Sequence, residues 1–286
     1  MQNAFSYEGK RALVVGCYSG MGAATAAIVQ SLGGEVHGVD YKAPDTDLAS
    51  FTECDLRDEA QIDAMLAAVG TGWDAVFYCA GLPQTHPPLD VMKVNFVAMR
   101  KVVDGLLAGM GAGSAVAIIS SNAGLQFMNH MAEITELIDT ADFDGAMAWC
   151  GERPELINEG YTFSKEAIIV YTMRRAIEGV GRGIRVNCIS PGPTSTPMMP
   201  DFEAAAGKAV IDAFLGPMER RAEPEEMGWP LVFLNSEGAS FITGLNLLVD
   251  AGFVAGTMTG LIDLEALFAK AMADIESADR GAAAAE

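Results

Sequence analysis

The sequence predicts a single doubly wound α/β domain: one parallel sheet with helices on both faces. Three observations carry this. Short apolar runs alternate with longer stretches of helical spacing from the first residues almost to the last. The apolar runs are continuous and rich in β-branched residues, as in strands buried on both faces. No internal repeat and no Gly/Ser linker divides the 286 residues.

The elements follow in order. Arg11–Val15 (RALVV) reads as a buried strand, and the small-residue stretch Ala23–Leu32 as the helix behind it. Glu35–Val39 is a second strand and Asp58–Val69 a second helix, with apolar spacing near 3.6. Ala75–Cys79 and Ala115–Ser120 continue the sheet, Tyr161–Glu178 is a long helix, and Arg185–Ile189 and Asn246–Val249 close the strand set. Residues 126–158 lie outside this alternation. A structureless loop of that length is improbable in a compact domain, so a helical insertion is expected there, with helices near 131–139 and 144–149. Residues 1–259 are thus expected to form the domain and 260–286 a helical tail, amphipathic near 261–275 and frayed at its Ala-rich end.

Composition narrows the function classes. Half of the residues are apolar, enough for a sizeable core, yet no run nears the roughly 18 consecutive apolar residues of a membrane span. A formal charge of −20 opposes binding to nucleic acid or anionic membranes. The N-terminal segment lacks the basic and apolar regions of a targeting peptide, so a cytoplasmic protein is expected. Five scattered cysteines without a C-x-x-C pair read as free thiols, and three isolated histidines give no metal site.

The chemistry-bearing residues begin directly after the first strand, with Gly16-Cys17-Tyr18-Ser19-Gly20-Met21-Gly22. Glycines there permit a tight turn and let backbone N–H groups approach a pyrophosphate at a helix N-terminus, as in Rossmann dinucleotide sites. Asp40 ends the second strand, where a carboxylate accepts hydrogen bonds from ribose hydroxyls and repels a 2′-phosphate. NAD is therefore expected over NADP. Tyr161 and Lys165 stand four apart in the long helix and share a face. A neighbouring ammonium favours the phenolate, as does a cofactor's positively charged nicotinamide ring, so the pair is expected to titrate nearer the operating pH than a free phenol.

These residues resemble the short-chain dehydrogenase/reductase family. GCYSGMG is similar to its T-G-x-x-x-G-x-G loop, with Val15 in place of the threonine. Asp55-Leu56 resembles the adenine-contacting pair. Tyr78-Cys79-Ala80-Gly81 keeps only the second half of N-N-A-G, which puts in doubt the role of the asparagines but not the Ala80-Gly81 backbone contact. Asn95 matches the family's helix asparagine. Ser120 and Ser121 both stand at the strand end, Ser121 being the better match because Asn122-Ala123-Gly124 follows. Tyr161-Thr162-Phe163-Ser164-Lys165 is Y-x-x-x-K, and Pro191-Gly192-Pro193-Thr194-Ser195-Thr196 matches the segment that grips the nicotinamide carboxamide. No one motif is specific, but all of them occur in order over the chain up to about residue 255.

The resemblance implies an NAD-dependent enzyme with Asn95, Ser121, Tyr161 and Lys165 as its catalytic tetrad. It places the cofactor on Gly16, Ser19, Gly20, Met21, Gly22, Asp40, Asp55, Leu56, Ala80, Gly81, Tyr161, Lys165, Pro191, Gly192, Thr194 and Thr196. It also implies a homodimer or homotetramer. The distance from Ser121 to Tyr161 is longer than in ordinary members, so the insertion is expected to shape the substrate pocket and perturb the usual helix-pairing surface. A similar insertion occurs in bacterial 3α-hydroxysteroid dehydrogenase/carbonyl reductases. Coniferyl-alcohol dehydrogenases are a second resemblance, and the motifs do not separate the two. Met128, Met131, Met147, Trp149, Met198, Met199, Phe202 and Phe214 suggest an adaptable apolar wall for a hydrophobic alcohol or ketone. A non-catalytic dinucleotide-binding sensor is the competing expectation; loss of Ser121, Tyr161 or Lys165 would have favoured it.

Overall fold

The computed structural model describes residues 3–283. Its elements are β1 (Arg11–Val15), α1 (Gly20–Ser31), β2 (Glu35–Asp40), β3 (Ser50–Glu53), α2 (Glu59–Val69), β4 (Ala75–Tyr78) and α3 (Pro88–Met92). A π-helical turn, Lys93–Ala98, leads into α4 (Met99–Ala108) and β5 (Ala115–Ile119). A 3₁₀ segment, Asn122–His130, opens the insertion, followed by α5 (Met131–Ile138), α6 (Phe143–Gly151) and α7 (Pro154–Ile157). Then come α8 (Tyr161–Val180), β6 (Arg185–Pro191), α9 (Met199–Ala206), α10 (Lys208–Asp212), α11 (Pro224–Asn235), β7 (Asn246–Val249), α12 (Phe253–Met258) and α13 (Leu264–Ala283).

All seven strands are parallel, in the order β3-β2-β1-β4-β5-β6-β7. Successive side chains of a strand face opposite ways. Along β1, Leu13 and Val15 enter one core with Ile62 of α2, Val102 of α4 and Ile168 of α8. Ala12 and Val14 enter the other, with Val29 of α1 and Leu231 of α11. The doubly wound fold is therefore present as the sequence predicts. Connections leave β1 and β4 toward opposite edges of the sheet, which opens a crevice at their C-terminal ends.

Two boundaries differ from the sequence reading for physical reasons. Strand β3 was absent from it because its four residues lie at the sheet edge and none is fully buried, so no apolar run marks it. The C-terminal helix starts at Leu264 rather than 261 and continues to Ala283. Part of the Ala-rich end expected to fray is thus helical, consistent with alanine's high helix propensity; residues 284–286 lie outside the described residues.

The insertion is a helical layer on the α4/α8 face. Ile134, Leu137, Phe143 and Trp149 join the same core as α8. Arg100 of α4 is buried and donates to the carbonyls of Leu137 (2.9 Å), Ile138 (2.9 Å), Thr140 (3.2 Å) and Asp142 (2.8 Å). These are carbonyls from the end of α5 and the turn after it, which a helix C-terminus leaves without intrahelical partners. One guanidinium therefore anchors the insertion. Arg174 of α8 adds an ion pair to Asp139 at 2.6 Å. Among the described residues, all five cysteines are free and no helix is long and apolar enough to cross a membrane.

Candidate active site

The loop between β1 and α1 is fixed by close backbone approaches. A Cβ on Gly22 would lie 1.8 Å from the Gly16 carbonyl oxygen, and one on Gly16 would lie 2.4 Å from the Ala80 nitrogen. No other residue type fits either position without moving backbone. Ser19 is the N-cap of α1 but makes no side-chain capping bond, so the N–H groups of the first turn lack a side-chain acceptor. Thr196, in the loop after β6, packs against Gly20: a Cβ there would meet the threonine at 3.3 Å. The loops 16–22 and 191–196 thus border the same crevice. Thr194 is buried and its hydroxyl donates to the Gly192 carbonyl at 3.0 Å, which stiffens the second loop after Pro191.

Asp40 lies at the end of β2. It accepts hydrogen bonds from the backbone N–H of Tyr18 at 2.9 Å and of Tyr41 at 2.8 Å, joining the glycine loop to the strand end. Burial raises its pKa, opposed by these backbone donors. Asp55 is held by Arg57 through both oxygens, chiefly through hydrogen bonds that lower its pKa, while Leu56 is buried beside it.

Three parts of the chain bring Asn95, Ser121, Tyr161 and Lys165 together: the π-helical turn, the end of β5 and α8. Asn95 sits fully buried in the π-helical turn. Its Oδ1 accepts from Leu82 N–H at 2.7 Å, and its Nδ2 donates to the Leu82 carbonyl at 3.0 Å and to Ser164 Oγ at 3.3 Å. The amide therefore clamps the loop after β4 to the first turn of α8. Gly81 lies between them: a Cβ on it would be 3.3 Å from Asn95 Oδ1 and 3.8 Å from Lys165 Nζ. Tyr78 strengthens the same junction by donating from its hydroxyl to the Val94 carbonyl at 3.1 Å. This buried tyrosine now ties β4 to the turn that carries Asn95, at the first position of the altered N-N-A-G motif.

The two serines at the end of β5 separate clearly. Ser120 donates to the Lys165 carbonyl at 2.7 Å and is spent on packing. Ser121 caps the 3₁₀ segment through Ala123 N–H at 3.1 Å, and its hydroxyl faces the Tyr161 phenol closely enough to lower that group's pKa. Lys165 is 4% exposed; its Nζ donates to the Ile119 carbonyl at 3.2 Å and lies 5.4 Å from the Tyr161 ring centroid.

Burial dominates the electrostatics of the pair. Lys165 does not draw the phenol toward neutral pH. Burial pushes Tyr161 up to about 12 and Lys165 down to about 8, because desolvation disfavours the charged form of each. The opposing influence on Tyr161 is the neighbouring Ser121 hydroxyl.

The residues read as an apolar wall take different places. Trp149 stacks on Phe163 at 6.0 Å and Met147 packs on the core, so both hold the insertion in place. Met128 and Met131 are exposed. Phe202 of α9 meets the phenol edge-on, its ring centroid 5.1 Å from that of Tyr161. Sequence reading also assigned no histidine a role. His130, at the end of the 3₁₀ segment, hydrogen-bonds buried Glu166 at 2.7 Å and so pins the insertion beside Lys165. Nothing in the spacing of two distant residues announces that contact.

Comparison with known proteins follows the same lines. Residues 12–124 match the family described as NAD dependent epimerase/dehydratase, and residues 148–254 the one described as Enoyl-(Acyl carrier protein) reductase. A coniferyl-alcohol dehydrogenase from Pseudomonas sp. is 30% identical over 247 residues, 86% of this chain and 97% of that protein. A 3-alpha-hydroxysteroid dehydrogenase/carbonyl reductase from Comamonas testosteroni is 32% identical over 250 residues, covering 85% and 96%. The crystal structure of a 3-alpha-hydroxysteroid dehydrogenase from Pseudomonas sp., complexed with NADH, superimposes with a TM-score of 0.76 at 27% identity, over 89% of this chain and all of that one. With sequence similarity running along nearly the full length of such relatives, on a doubly wound sheet, the chain belongs to the short-chain dehydrogenase/reductase family of oxidoreductases.

Proposed function

We propose that the protein interconverts a hydrophobic secondary or aromatic alcohol and its carbonyl compound, with NAD(H) as the hydride carrier and Tyr161 as the acid–base group. The observation that carries this reading is the convergence of Ser121, Tyr161 and Lys165 beside the crevice bordered by the loops 16–22 and 191–196. The residues fit an NAD-type dinucleotide. The first turn of α1, entered through Gly16, Ser19, Gly20, Met21 and Gly22, suits a pyrophosphate, and the Asp40 carboxylate suits an unphosphorylated ribose. Asp55 and Leu56 would border the adenine, while Ala80, Gly81, Pro191, Gly192, Thr194 and Thr196 would border the nicotinamide half.

When bound, the nicotinamide exchanges the hydride with the substrate carbon, and its oxidised ring favours the phenolate through its positive charge. The chain's own residues manage the proton. Tyr161 holds a proton at neutral pH and is placed to donate it to a carbonyl oxygen, or to take one from an alcohol once its pKa is lowered. Ser121 is placed to hold the same substrate oxygen beside the phenol. Lys165 keeps a positive charge near the ring below about pH 8. Asn95 acts by fixing the loop that carries Gly81. Phe202, seated on the phenol ring, makes the entrance apolar and supports a hydrophobic substrate. A coniferyl-type aromatic alcohol and a hydroxysteroid are both compatible with it.

NAD-linked turnover across aromatic alcohols, steroids and cyclic ketones tests the reaction class; a protein that binds NADH yet turns over none of them would contradict it. Cofactor choice is tested separately. Wild type is expected to prefer NAD(H), and Asp40→Ala is expected to lower the NAD/NADP ratio of kcat/KM at least about tenfold. A wild-type preference for NADP(H) would refute the role given to Asp40. We further propose a homodimer or homotetramer, with the insertion covering part of the α4/α8 surface. A monomer by light scattering at micromolar concentration would contradict that.

A further inference from the structure

The segment after Thr196 is held over the candidate site by parts of the chain beyond the family match, which ends at residue 254. Helices α9 and α10 meet at Gly207, which has a φ of +85°. On one side, α9 sets Phe202 against Tyr161 at 5.1 Å. On the other, α10 packs on α13. Phe214, just past α10, meets Phe268 of α13 at 5.4 Å, nearly perpendicular, and Phe253 of α12 at 5.2 Å. Ile275 of α13 covers Gly207 itself: a Cβ there would lie 3.3 Å from the isoleucine Cδ1. Arg221 binds Glu203 of α9 and reaches Asp212 of α10 at 3.4 Å. Its neighbour Ala222 pairs with the loop after β6, donating to the Pro193 carbonyl at 3.0 Å and accepting from Ser195 N–H at 2.8 Å.

We propose that α13 is part of the substrate-binding apparatus: Phe268 and Ile275 are positioning residues that hold α9 and α10 down, so that Phe202 closes on the site and selects substrate shape. This rests on the alcohol/carbonyl reading for its substrate and on the α13 contacts for its mechanics. The contacts form one chain of packing, from α13 through Phe214 and Gly207 to Phe202 and the phenol. Losing Phe268 removes one of the two aromatic partners of Phe214, the one that α13 supplies at the far end of that chain. The substitution alters neither the phenol nor the glycine loop, and the aromatic contact it removes is the one to Phe214. The effect should therefore appear in substrate affinity and leave the cofactor alone.

The test uses the full-length protein with Phe268→Ala and Phe268→Leu. For a bulky hydrophobic alcohol, F268A is expected to raise KM about tenfold with kcat within about twofold and NADH affinity unchanged, and F268L to restore most of the loss. Amide hydrogen exchange is measured on the same samples without substrate. Residues 199–212 should exchange faster in F268A, while α8 and the sheet remain as in wild type. Unchanged exchange across 199–212 overturns the coupling, and so does a global rise in exchange, which would make Phe268 merely structural. An unchanged KM with faster local exchange overturns the role in substrate selection. If wild type itself turns over no alcohol while 199–212 still loosens in F268A, the alcohol/carbonyl reading fails and the mechanical coupling stands.

Discussion

Replacing Tyr161 with phenylalanine is expected to lower turnover about a thousandfold, within the range by which a positioned proton donor accelerates a reaction. The substitution removes one oxygen and keeps the ring that packs against Phe202 at 5.1 Å. The same hydroxyl is the group that Ser121 faces, so its loss also removes half of the pair that would hold the substrate oxygen. NADH affinity should change little, because the loop 16–22, Asp40 and the loop 191–196 are untouched. Fluorescence titration of NADH alongside steady-state turnover checks both parts.

Lys165→Met is expected to abolish most turnover and at the same time stabilise the fold. The native protein holds this ammonium in a desolvated position, where its pKa falls from 10.5 to about 8. An unfolded chain keeps that proton until about 10.5, so between about 8 and 10.5 the unfolded state binds more protons and native stability rises with pH. Below about 8 the burial penalty is present in full. Removing the charge relieves it, offset by the hydrogen bond to the Ile119 carbonyl at 3.2 Å that methionine cannot make. The net gain at neutral pH should be about 1–2 kcal/mol. Denaturant unfolding at pH 7 and pH 10 measures it: K165M should be the more stable at pH 7, and the advantage should shrink at pH 10. A variant less stable than wild type at pH 7 contradicts the assigned penalty. Tyr161 acts in the opposite sense at higher pH, since its raised value makes the native state hold a proton longer than the unfolded chain.

The fold was legible wherever burial on both sides of the sheet produced continuous apolar runs, as at RALVV in β1 and AVAII in β5. Strand β3 escaped because an edge position asks no such pattern of it. The candidate tetrad rests on spacing and order, and the Ser120 bond to the Lys165 carbonyl supports the choice of Ser121 over Ser120. Contacts between distant segments were beyond the reach of local pattern. Arg100 gripping four carbonyls of the insertion, His130 on Glu166, and Phe202 on Tyr161 depend on how the helices dock. The titration behaviour was hidden for a related reason. The sequence places an ammonium near a phenol but does not reveal how deeply both are buried, and here desolvation outweighs their mutual attraction.

The insertion also buttresses α8. Its Trp149 packs inward on Phe163 of α8, and His130 lies near the same ring, which stiffens the helix that carries Tyr161 and Lys165. The residue that meets the phenol comes instead from α9, downstream of the nicotinamide-side loop.

The most direct measurement of the central claim is a single turnover with NAD and a hydrophobic secondary alcohol carrying deuterium on its carbinol carbon, run with wild type and Tyr161→Phe. The account predicts that wild type transfers the deuterium to the reduced cofactor, with reduction appearing at 340 nm, while Y161F binds the cofactor normally and transfers it about a thousandfold more slowly. Equal transfer rates in the two proteins, or deuterium released to solvent with no reduced cofactor formed, would contradict it.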